Sequence, residues 1–516
     1  MITCATEKTL PETVIVGNLF LPLPETDFRD YMDEIDKLAK SAPEIIKSIE
    51  KDLDVQARKA KKLRLEDKKF LESHTVDLPK MDIKERNILA EELNLAVGRP
   101  RMSGYAVYVF VMIRGFLGSL SSRPAKCFLR ESMSLYCFLQ NRGLSMPAVT
   151  TMLENVNFVS QATRDLIFKK QIELILREDL DDFKKLTIDS TAVKANSCWP
   201  TDAKILTGLL TRVNRLGQKL HIFGLDNFRQ GWIPRWLKEM EKLEFQICLA
   251  AGKTKSKGKL KKHYRQLLKR GQKAADVLDE ELKRFEQRLS TDELEPSRRM
   301  FLQRVKQQIE VDICDAKRVI GYAGDRVFNG KTLPSTQKVM SLSDGSAAYI
   351  QKGSRDAVIG YKPQLVRSEK GFVTSLIVPQ GNASDAVELP LAIRDSINRT
   401  GVVAELVSTD DGYASAKGRG EVLAMGVKDV SISGAKGKRL TEPDDWKSDM
   451  YRDARRNRSA VESLMFTIKD GFEFGELGRR GLESVRGELL EKVLAYNCCR
   501  IILMKKRKRD LLDEAA

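Results

Sequence analysis

The sequence has few of the residues that several common kinds of site require. Only three of its 516 residues are histidines, which argues against histidine-rich zinc sites and histidine-based nucleases. Its eight cysteines include no Cys-x-x-Cys pair, so we expect free thiols in a reducing cytosol. Metal chemistry would therefore depend on carboxylates, the ligands that suit Mg²⁺ or Mn²⁺.

Long apolar segments are also absent. The longest uninterrupted run, Tyr105 to Ile113, ends at Arg114 and is far shorter than the ~20 residues of a membrane-spanning helix. The first residues show no basic segment followed by an apolar one, so we expect no secretory signal. These features predict a cytoplasmic protein that does not act at a membrane.

Acidic residues are outnumbered by basic ones. The chain has 89 Lys and Arg against 72 Asp and Glu, a formal net charge of +17, and this excess suggests a polyanionic partner. Much of the excess lies in two stretches without acids, nine charges in Ala251–Arg270 and five in Lys505–Arg509. Each stretch is either a solvated surface or a contact to phosphate.

The periodicity of apolar residues predicts an α/β protein. Helical spacing dominates up to about residue 180 and again over 203–320, while a short β-prone run ends at Asp189. Alternation of strands and helices after residue 340 indicates parallel pairing there. The later predicted strands are Val358–Arg367, Phe372–Val378, Val402–Ser408 and Val427–Ser431.

This pattern divides the chain into five parts, with a large helical insertion between the first two strands of a mixed sheet that is flanked by helices. The predicted parts are a helical N-terminal region (1–80), an all-α candidate DNA-binding domain (81–180), a catalytic domain in two segments (181–197 and 341–504), a mostly helical insertion (198–340) and a basic tail (505–516).

One stretch of the all-α part has the pattern of two helices around a turn. A helical pattern over Leu129–Leu139 precedes a turn at 141–143, and Ser145 with Pro147 is typical of a helix start. The pattern is either a helix-turn-helix that reads DNA or a structural hairpin.

Three acidic residues stand where chemistry is expected. Asp189 and Asp410 end predicted strands, where two neighbouring carboxylates could bind a pair of divalent ions. A late helix offers Glu462 as the third carboxylate. At about 100° per residue, Arg458, Glu462 and Lys469 fall within a ~40° sector, so the two bases could contact phosphate.

Three motifs resemble the DDE transposases of prokaryotic insertion sequences, in the insertion-sequence-4-like superfamily with a ribonuclease-H-like catalytic domain. They are LTIDSTAVKAN, VSTDDGYAS and the run Arg458-x3-Glu462-x6-Lys469. In the second motif, the family's Asp-x-Gly-Tyr spacing selects Asp410 over Asp411.

The resemblance implies a metal triad of Asp189, Asp410 and Glu462 that holds Mg²⁺ or Mn²⁺, two ions in all. It also implies that Arg458 and Lys469 contact the transposon end. The 221-residue separation of the two aspartates requires an inserted domain, a role that 198–340 fills.

Some positions depart from the family pattern or extend it. Arg455 stands where the signature has a tyrosine, and Tyr451 lies one helical turn earlier. Asp202, shortly after the first motif, is either a further site residue or a helix cap. Six lysines of the insertion are candidates for contact with the DNA backbone: Lys253, Lys255, Lys257, Lys259, Lys261 and Lys262.

The resulting expectation is a transposase that cuts a phosphodiester at the element's end and joins the freed 3′-hydroxyl to target DNA. Its partners would be double-stranded DNA, both terminal inverted repeats and target, and a second copy of the chain. Two alternatives stay open: a ribonuclease-H-like nuclease without strand transfer, and an inactive transposase-derived DNA-binding protein.

Neutralising the six insertion lysines should make DNA binding less sensitive to salt. The slope of log affinity against log salt should fall by roughly 0.9 for each phosphate that is no longer neutralised, because fewer counterions are released. The affinities of the wild type and of the Lys→Gln variant for end DNA should be measured between about 50 and 200 mM salt. Over this range the affinity changes enough to define the slope. An unchanged slope would reject the role of these lysines.

Overall fold

The computed structural model is an α/β protein, as the sequence predicts. It describes residues 28–73, 101–197, 201–222, 233–251, 257–291, 294–331, 333–334, 337–351, 357–442 and 445–515. Within these ranges the strands β1 to β8 are, in order, Lys185–Ser190, Val193–Lys194, Ala348–Ile350, Val358–Tyr361, Gln364–Ser368, Val373–Ile377, Leu406–Thr409 and Asp429–Ile432.

The same ranges contain the α-helices α1 to α16. These are, in chain order, Phe28–Ser41, Pro43–Ser73, Gly104–Phe116, Arg123–Glu131, Met133–Gln140, Val149–Phe158, Gln161–Arg177, Asp202–Ile222, Ile233–Ala250, Lys257–Thr291, Pro296–Asn329, Asp385–Thr400, Ala416–Ala424, Ala435–Lys438, Asp449–Gly471 and Leu482–Ala515. Short 3₁₀ turns follow β7 at Asp411–Tyr413 and precede α15 at Asp445–Lys447.

The chain forms two compact units. One comprises Met1–Asp54, Met102–Asn196 and Ser346–Ala516, and the other comprises Val55–Arg101 and Ser197–Gly345. The second unit contains the helical insertion. The finer division into five parts stays a prediction.

A five-stranded mixed sheet organises the first unit, with strand order β6-β5-β1-β7-β8. The single strand predicted over Val358–Arg367 is wrong, because it divides into β4, which belongs to a separate three-stranded sheet, and β5. β5 pairs antiparallel with β6 across the turn at 368–371 and with β1 on its other side. β1, β7 and β8 pair in parallel, as the strand–helix alternation indicates. This mixed sheet, flanked by helices and preceded by a helical region, is consistent with a ribonuclease-H-like fold and confirms the predicted class.

The two faces of the sheet carry different helices. Leu186, Ile188 and Val407 belong to a core that includes Leu389 of α12 and Val422 of α13. Because side chains alternate along a strand, the residues between them face the other side. That other face is where α15 packs against β1 and β7.

Helix α16 protects the edge of the sheet at β6. Asn497 accepts the N–H of Val373 at 2.9 Å and donates to the carbonyl of the same residue at 2.9 Å. The amide side chain therefore satisfies the backbone of an edge strand that would otherwise be unpaired. The opposite side of α16 packs on α3, where Gly115 allows close approach, since an added Cβ would lie 2.0 Å from the Glu491 carbonyl oxygen.

Three arginines surround one buried carboxylate within this helical layer. Glu491 is 1% exposed and accepts from Arg114 at 2.6 and 2.7 Å, from Arg164 at 2.6 Å, and from Arg479. The guanidinium groups of Arg114, Arg479 and Arg164 overcome the desolvation of Glu491 and hold the pKa of that carboxyl well below its usual range. Burial in turn lowers the pKa of Arg114 to about 10.

The insertion unit has its own core. Helices α8 to α11 contribute buried apolar side chains to one cluster that includes Leu209, Met240, Phe285 and Ile309. Arg212 donates to the fully buried Asp312, with Nε to Oδ2 at 2.5 Å.

Several helix boundaries differ from the predictions. The helix expected over Leu129–Leu139 is broken at Ser132, whose side chain caps α5 by accepting the N–H of Leu135 at 3.2 Å. The helix expected to start at Ser145 begins only at Val149, after Ala148. The first prediction was wrong because the Ser132 cap inside the run outweighed its helical periodicity. The second was wrong because Pro147 precedes the helix instead of opening it.

The boundary predicted between residues 504 and 505 falls within a helix. α16 continues to Ala515, so 505–515 are helical. Lys505 pairs with Glu34 and Glu178, both at 2.7 Å, and Lys506 pairs with Asp30 at 2.6 Å. These lysines are held by acids of the same unit, which argues against a tail whose charges are all available to DNA.

No helix in the described part of the chain is long and apolar enough to cross a membrane.

The six cysteines that fall in the described ranges are free, and burial raises the pKa of the Cys498 and Cys499 thiols.

Removing the central carboxylate should destabilise the first unit strongly. Glu491→Ala leaves three arginines, two of them deeply buried, without their counter-charge, and the free energy of unfolding should fall by about 3–5 kcal/mol. Urea unfolding followed by circular dichroism measures this. Glu483→Ala, an exposed position on the same helix, should change it by less than about 0.5 kcal/mol.

The effect of Glu491 should also depend on pH. Because the folded pKa lies below the unfolded value of about 4.3, its contribution is present above that pH and is lost as the pH falls below it. The stability difference between the wild type and Glu491→Gln should therefore shrink on acidification, and a constant difference would contradict the charge-pair account.

Candidate active site

Five residues predicted to act together line one cavity. Asp189, Asp410, Glu462, Arg458 and Lys469 all contribute to a cavity of about 1050 Å³ at the end of the sheet. Asp189 lies near the end of β1, Asp410 directly follows β7, and the other three lie on α15. Residues up to 280 positions apart in sequence are therefore neighbours in space.

The register of β1 and β7, extended two residues beyond its last pair, aligns the two aspartates. In the parallel β1–β7 pair, Lys185 is opposite Leu406 and Thr187 is opposite Ser408, an offset of 221 residues. The same offset relates Asp189 to Asp410. Paired residues of parallel strands face the same side of the sheet. Thr187 and Ser408, each two residues before one of the aspartates, have hydroxyls 3.2 Å apart on that side. Both aspartates therefore face α15 at the carboxyl end of their strands.

Backbone amides fix one oxygen of each aspartate. Asp189 Oδ1 accepts the N–H of Ser190 at 2.7 Å, and Asp410 Oδ1 accepts the N–H of Gly412 at 2.9 Å. Both residues are half-buried. These bonds orient the carboxylates.

The adjacent Asp411 has a different role. Its Oδ1 accepts the N–H groups of Lys436 and Gly437, both at 2.9 Å, and so caps the short helix α14. Gly434, with φ of +122°, brings the chain so close that a Cβ there would lie 2.5 Å from the Asp411 carboxyl carbon. The geometry thus gives the two neighbouring acids separate tasks.

Helix α15 presents a polar stripe beside its buried face. Its buried face includes Val461, Leu464 and Ile468, which dock the helix on the sheet. An ion pair of Lys185 with Asp453 at 3.1 Å links the same helix to β1. Glu462 is exposed on the cavity side of this helix.

A second cavity, lined by three acids and three bases, adjoins the first. It has a volume of about 690 Å³, and Asp410, Arg458 and Glu462 line both cavities. Tyr451 and Arg455 line it too, one helical turn apart, so the arginine that replaces the signature tyrosine and the earlier tyrosine face the same space. The same cavity is lined by Lys438, which sits 4.8 Å from the centre of the Trp446 ring.

A fourth acid at the main cavity, Asp385, was missed from the sequence. Its Oδ1 lies 2.9 Å from Lys362 Nζ and accepts from Gln364 Nε2 at 2.8 Å. A Cβ on Gly412 would lie 3.5 Å from Asp385 Oδ2 and 3.0 Å from Asp410 Oδ1, so the two carboxylates flank one glycine. The only signal in the sequence was an acid in the first turn of a predicted helix. Such an acid ordinarily interacts favourably with the helix dipole and does not indicate a site.

Tyr413 lies beneath these acids. The residue is fully buried and its hydroxyl donates to Gln364 Oε1, the same amide that holds Asp385. Burial raises the pKa of the Tyr413 phenol, and the charges of Asp385, Asp189 and Asp410 raise it further. Three carboxylates from three elements therefore act on one side chain.

The donor chemistry of the cavity fits a hard cation. Its lining includes carboxylates but no cysteine or histidine, and Mg²⁺ and Mn²⁺ prefer such oxygen ligands. Within the described ranges, however, no three acidic, histidine or cysteine side chains lie close enough together to form a ligand set. The acids flank a common space in this conformation without converging on one point.

Other predicted site residues lie elsewhere. Asp202, in the first turn of α8, pairs with Arg326 at 2.6 Å in the insertion unit and does not line the cavity. Among the insertion lysines, Lys257, Lys259, Lys261 and Lys262 are exposed in the first turns of α10. Lys253 and Lys255 lie outside the described residues.

Comparison with known families gives an independent indication. Residues 329–498 match the model of the family described as Transposase DDE domain. Neither the curated proteins nor the solved structures contain a match. The family match supports a DDE transposase in general terms and implies DNA as a partner. It spans Asp410 and Glu462, while Asp189 lies outside it and lines the same cavity as both.

Substituting Gly434 should destabilise the short helix α14, which Asp411 caps. In Gly434→Ala, the added methyl meets the Asp411 carboxyl group and the backbone conformation is strained, so the free energy of unfolding should fall by about 1–3 kcal/mol. Gly420→Ala is the matched control, because a Cβ there has no neighbour within 4 Å and should stabilise helix α13 by about 0.5–1 kcal/mol. Thermal unfolding of both variants measures this, and equal midpoints would contradict the close approach.

Proposed function

We propose that this protein is the transposase of an insertion sequence, which cleaves DNA at the element's ends and transfers the strand to a target. One observation carries the proposal: the β1–β7 register aligns Asp189 with Asp410 beneath a helix that supplies Glu462 to the same cavity. The match of 329–498 to a transposase DDE domain supports the same reading.

The three acids would form the ion-binding site, with Asp189 and Asp410 holding it from the sheet and Glu462 from the helix. Bound Mg²⁺ or Mn²⁺, two ions in our proposal, would activate the attacking oxygen and stabilise the leaving oxygen of an in-line displacement. Asp410 and Asp189 are oriented in advance by backbone amides. Arg458 and Lys469 would hold the phosphates on either side of the bond that is cut.

Like charges oppose the convergence of these acids on one point. Carboxylates brought within a few ångströms repel one another unless a cation compensates them. Glu462 is exposed and its side chain has three rotatable bonds, so it can turn toward the aspartates when the ion binds. Lys362, paired with Asp385, already compensates one of the acids that line the cavity.

The finer parts of the proposal extend this reaction. Cleavage and joining at two element ends require two active sites, so we propose a homodimer on DNA. Exposed lysines at the start of α10 would add contacts to the DNA backbone. The reaction would take place in the cytoplasm, on the nucleoid.

Loss of any one acid should abolish cleavage while DNA binding persists. Asp189→Asn, Asp410→Asn and Glu462→Gln keep side-chain shape but remove charge, and the rate should fall by roughly 100- to 1000-fold or more. The substrate is a duplex carrying the inverted repeat that borders the gene, with Mg²⁺ present. Binding by the same variants should be measured in parallel.

Asp411→Asn is the matched control, because an amide oxygen can still accept the N–H groups of Lys436 and Gly437. This variant should cleave at nearly the wild-type rate. Full activity in Asp189→Asn or Glu462→Gln would reject the triad. Cleavage without any joined product, when a 3′-labelled end is supplied with target DNA, would instead favour a nuclease.

A further inference from the structure

Lys362 is a nearly buried cation at the main cavity. The residue is only 8% exposed, yet it lines the same cavity as the three acids. Its Nζ lies 2.9 Å from Asp385 Oδ1 and donates to the Ala383 carbonyl at 3.2 Å. An ammonium that loses its hydration in this way is costly unless such partners compensate it. A cation that is held at this cost beside an open cavity can serve a charged ligand.

The strand register places Lys362 at the end of the sheet that carries the aspartates. Gln364 is opposite Ser190 in the antiparallel β1–β5 pair, and the N–H of Thr191 donates to the Pro363 carbonyl at 3.1 Å. The start of β5 therefore lies beside the end of β1. Lys362 directly precedes this paired segment, so it belongs to the same edge of the sheet.

Cations approach the acids from both faces of the sheet. Arg458 and Lys469 extend from α15, whereas Lys362 is held at the start of α12, which packs on the opposite face. All three line the cavity that contains Asp189 and Asp410. A phosphodiester bound at these acids would lie between the two bases of α15 and the Lys362 ammonium.

The contacts of Lys362 suit a further acceptor that carries negative charge. An ammonium has three N–H donors, and within the described ranges its acceptors are Asp385 Oδ1 and the Ala383 carbonyl. Lysine binds phosphate as a compact point charge and does not need the fixed planar geometry of arginine. A non-bridging phosphate oxygen therefore matches the third donor in both charge and hydrogen bonding.

A purely structural role is the alternative for this lysine. The Lys362–Asp385 pair also joins the corner between β4 and β5 to the first turn of α12, and Gln364 Nε2 donates to the same Asp385 oxygen at 2.8 Å. A structural role predicts only a loss of stability when the lysine is removed. Contact with the substrate predicts a loss of affinity that depends on the charge of one particular phosphate.

We propose that Lys362 donates to a non-bridging oxygen of the phosphodiester that is cut. The inference rests on the proposed function, because DNA must lie at the acids. It adds a third cation, which contacts the reacting phosphate itself. The positive charge of Lys362 stabilises the negative charge that develops on this phosphate during the displacement.

The test measures the coupling between Lys362 and the charge of single phosphates. Affinity for DNA is measured in the Asp189→Asn background without divalent ions, so that the strand stays intact, for Lys362, Lys362→Met and Lys362→Arg. One probe is the unmodified inverted-repeat duplex. Two others carry a single uncharged methylphosphonate linkage, either at the cut bond or well inside the repeat. Affinities of one variant for different probes are compared, because a partly unfolded sample lowers them all equally.

Lys492→Met is the matched control for the loss of a buried lysine. Lys492 pairs with Glu488 at 3.1 Å and donates to the carbonyls of Glu473 and Glu476 at 2.8 and 2.9 Å. It has the same kinds of partner as Lys362 but does not line the cavity. Thermal unfolding of every variant is measured in parallel.

We expect Lys362→Met to weaken binding of the unmodified duplex roughly 10- to 150-fold, as the loss of a hydrogen bond to a charged group predicts. This loss should vanish with the methylphosphonate at the cut bond and persist with the one inside the repeat. Lys362→Arg keeps the charge and should retain the dependence on the cut bond, and Lys492→Met should discriminate among the probes like its parent. This pattern supports the contact even if the wild type fails to cleave, which would reject only the proposed reaction.

Three outcomes would overturn the inference. One is unchanged affinity of Lys362→Met for the unmodified duplex, and another is an equal loss with all three probes. The third is the same dependence on the cut bond in Lys492→Met, which would make the effect indirect. Lower thermal stability of Lys362→Met together with either of the first two outcomes would assign the lysine a structural role.

Discussion

The parallel pairing of β1 with β7 is the constraint on which the candidate site depends. A 221-residue offset joins the two strands, and it aligns Asp189 with Asp410 on the face that α15 covers. A shift of one residue would turn every side chain of a strand to the opposite face and separate the acids. The buried core formed by Leu186, Ile188 and Val407 prevents such a shift, because it would expose those side chains.

Several buried polar interactions hold the elements that carry these acids. The buried Gln364 connects Tyr413 with Asp385, and the Asp411 cap orders the loop directly after Asp410. Further away, the Glu491 cluster and the Asn497 contact to β6 tie helix α16 to the helical layer and to the sheet edge. The acids thus stand on elements whose positions are fixed by buried polar contacts.

Much of the fold could be predicted because local periodicity was strong. Strands rich in β-branched residues, the hairpin at 368–371 and the polar stripe of α15 follow from alternation and helical spacing. The choice of Asp410 came from a family motif, and the capping role of Asp411 is compatible with it.

What could not be predicted depended on long-range partners. In the sequence, Asp385 is an ordinary acid of a first helical turn. Its place at the cavity depends on contacts with Lys362, Gln364 and Gly412, which the sequence does not show. The helical end of α16 depends on acids such as Glu34, more than 470 positions away, that neutralise its lysines. The late start at Val149 follows Ala148, which offers no side-chain cap, and spacing alone does not predict it.

The central claim is that Asp189, Asp410 and Glu462 bind the divalent ion that cuts DNA. Fe²⁺ in place of Mg²⁺, with ascorbate and peroxide, generates radicals that cut the polypeptide near the bound ion, and mass spectrometry maps the cuts. With DNA present, we expect cuts clustered near 189, 410 and 462, suppressed by excess Mg²⁺ and absent in Asp410→Asn. Cuts elsewhere, or cuts that persist in Asp410→Asn, would contradict the account.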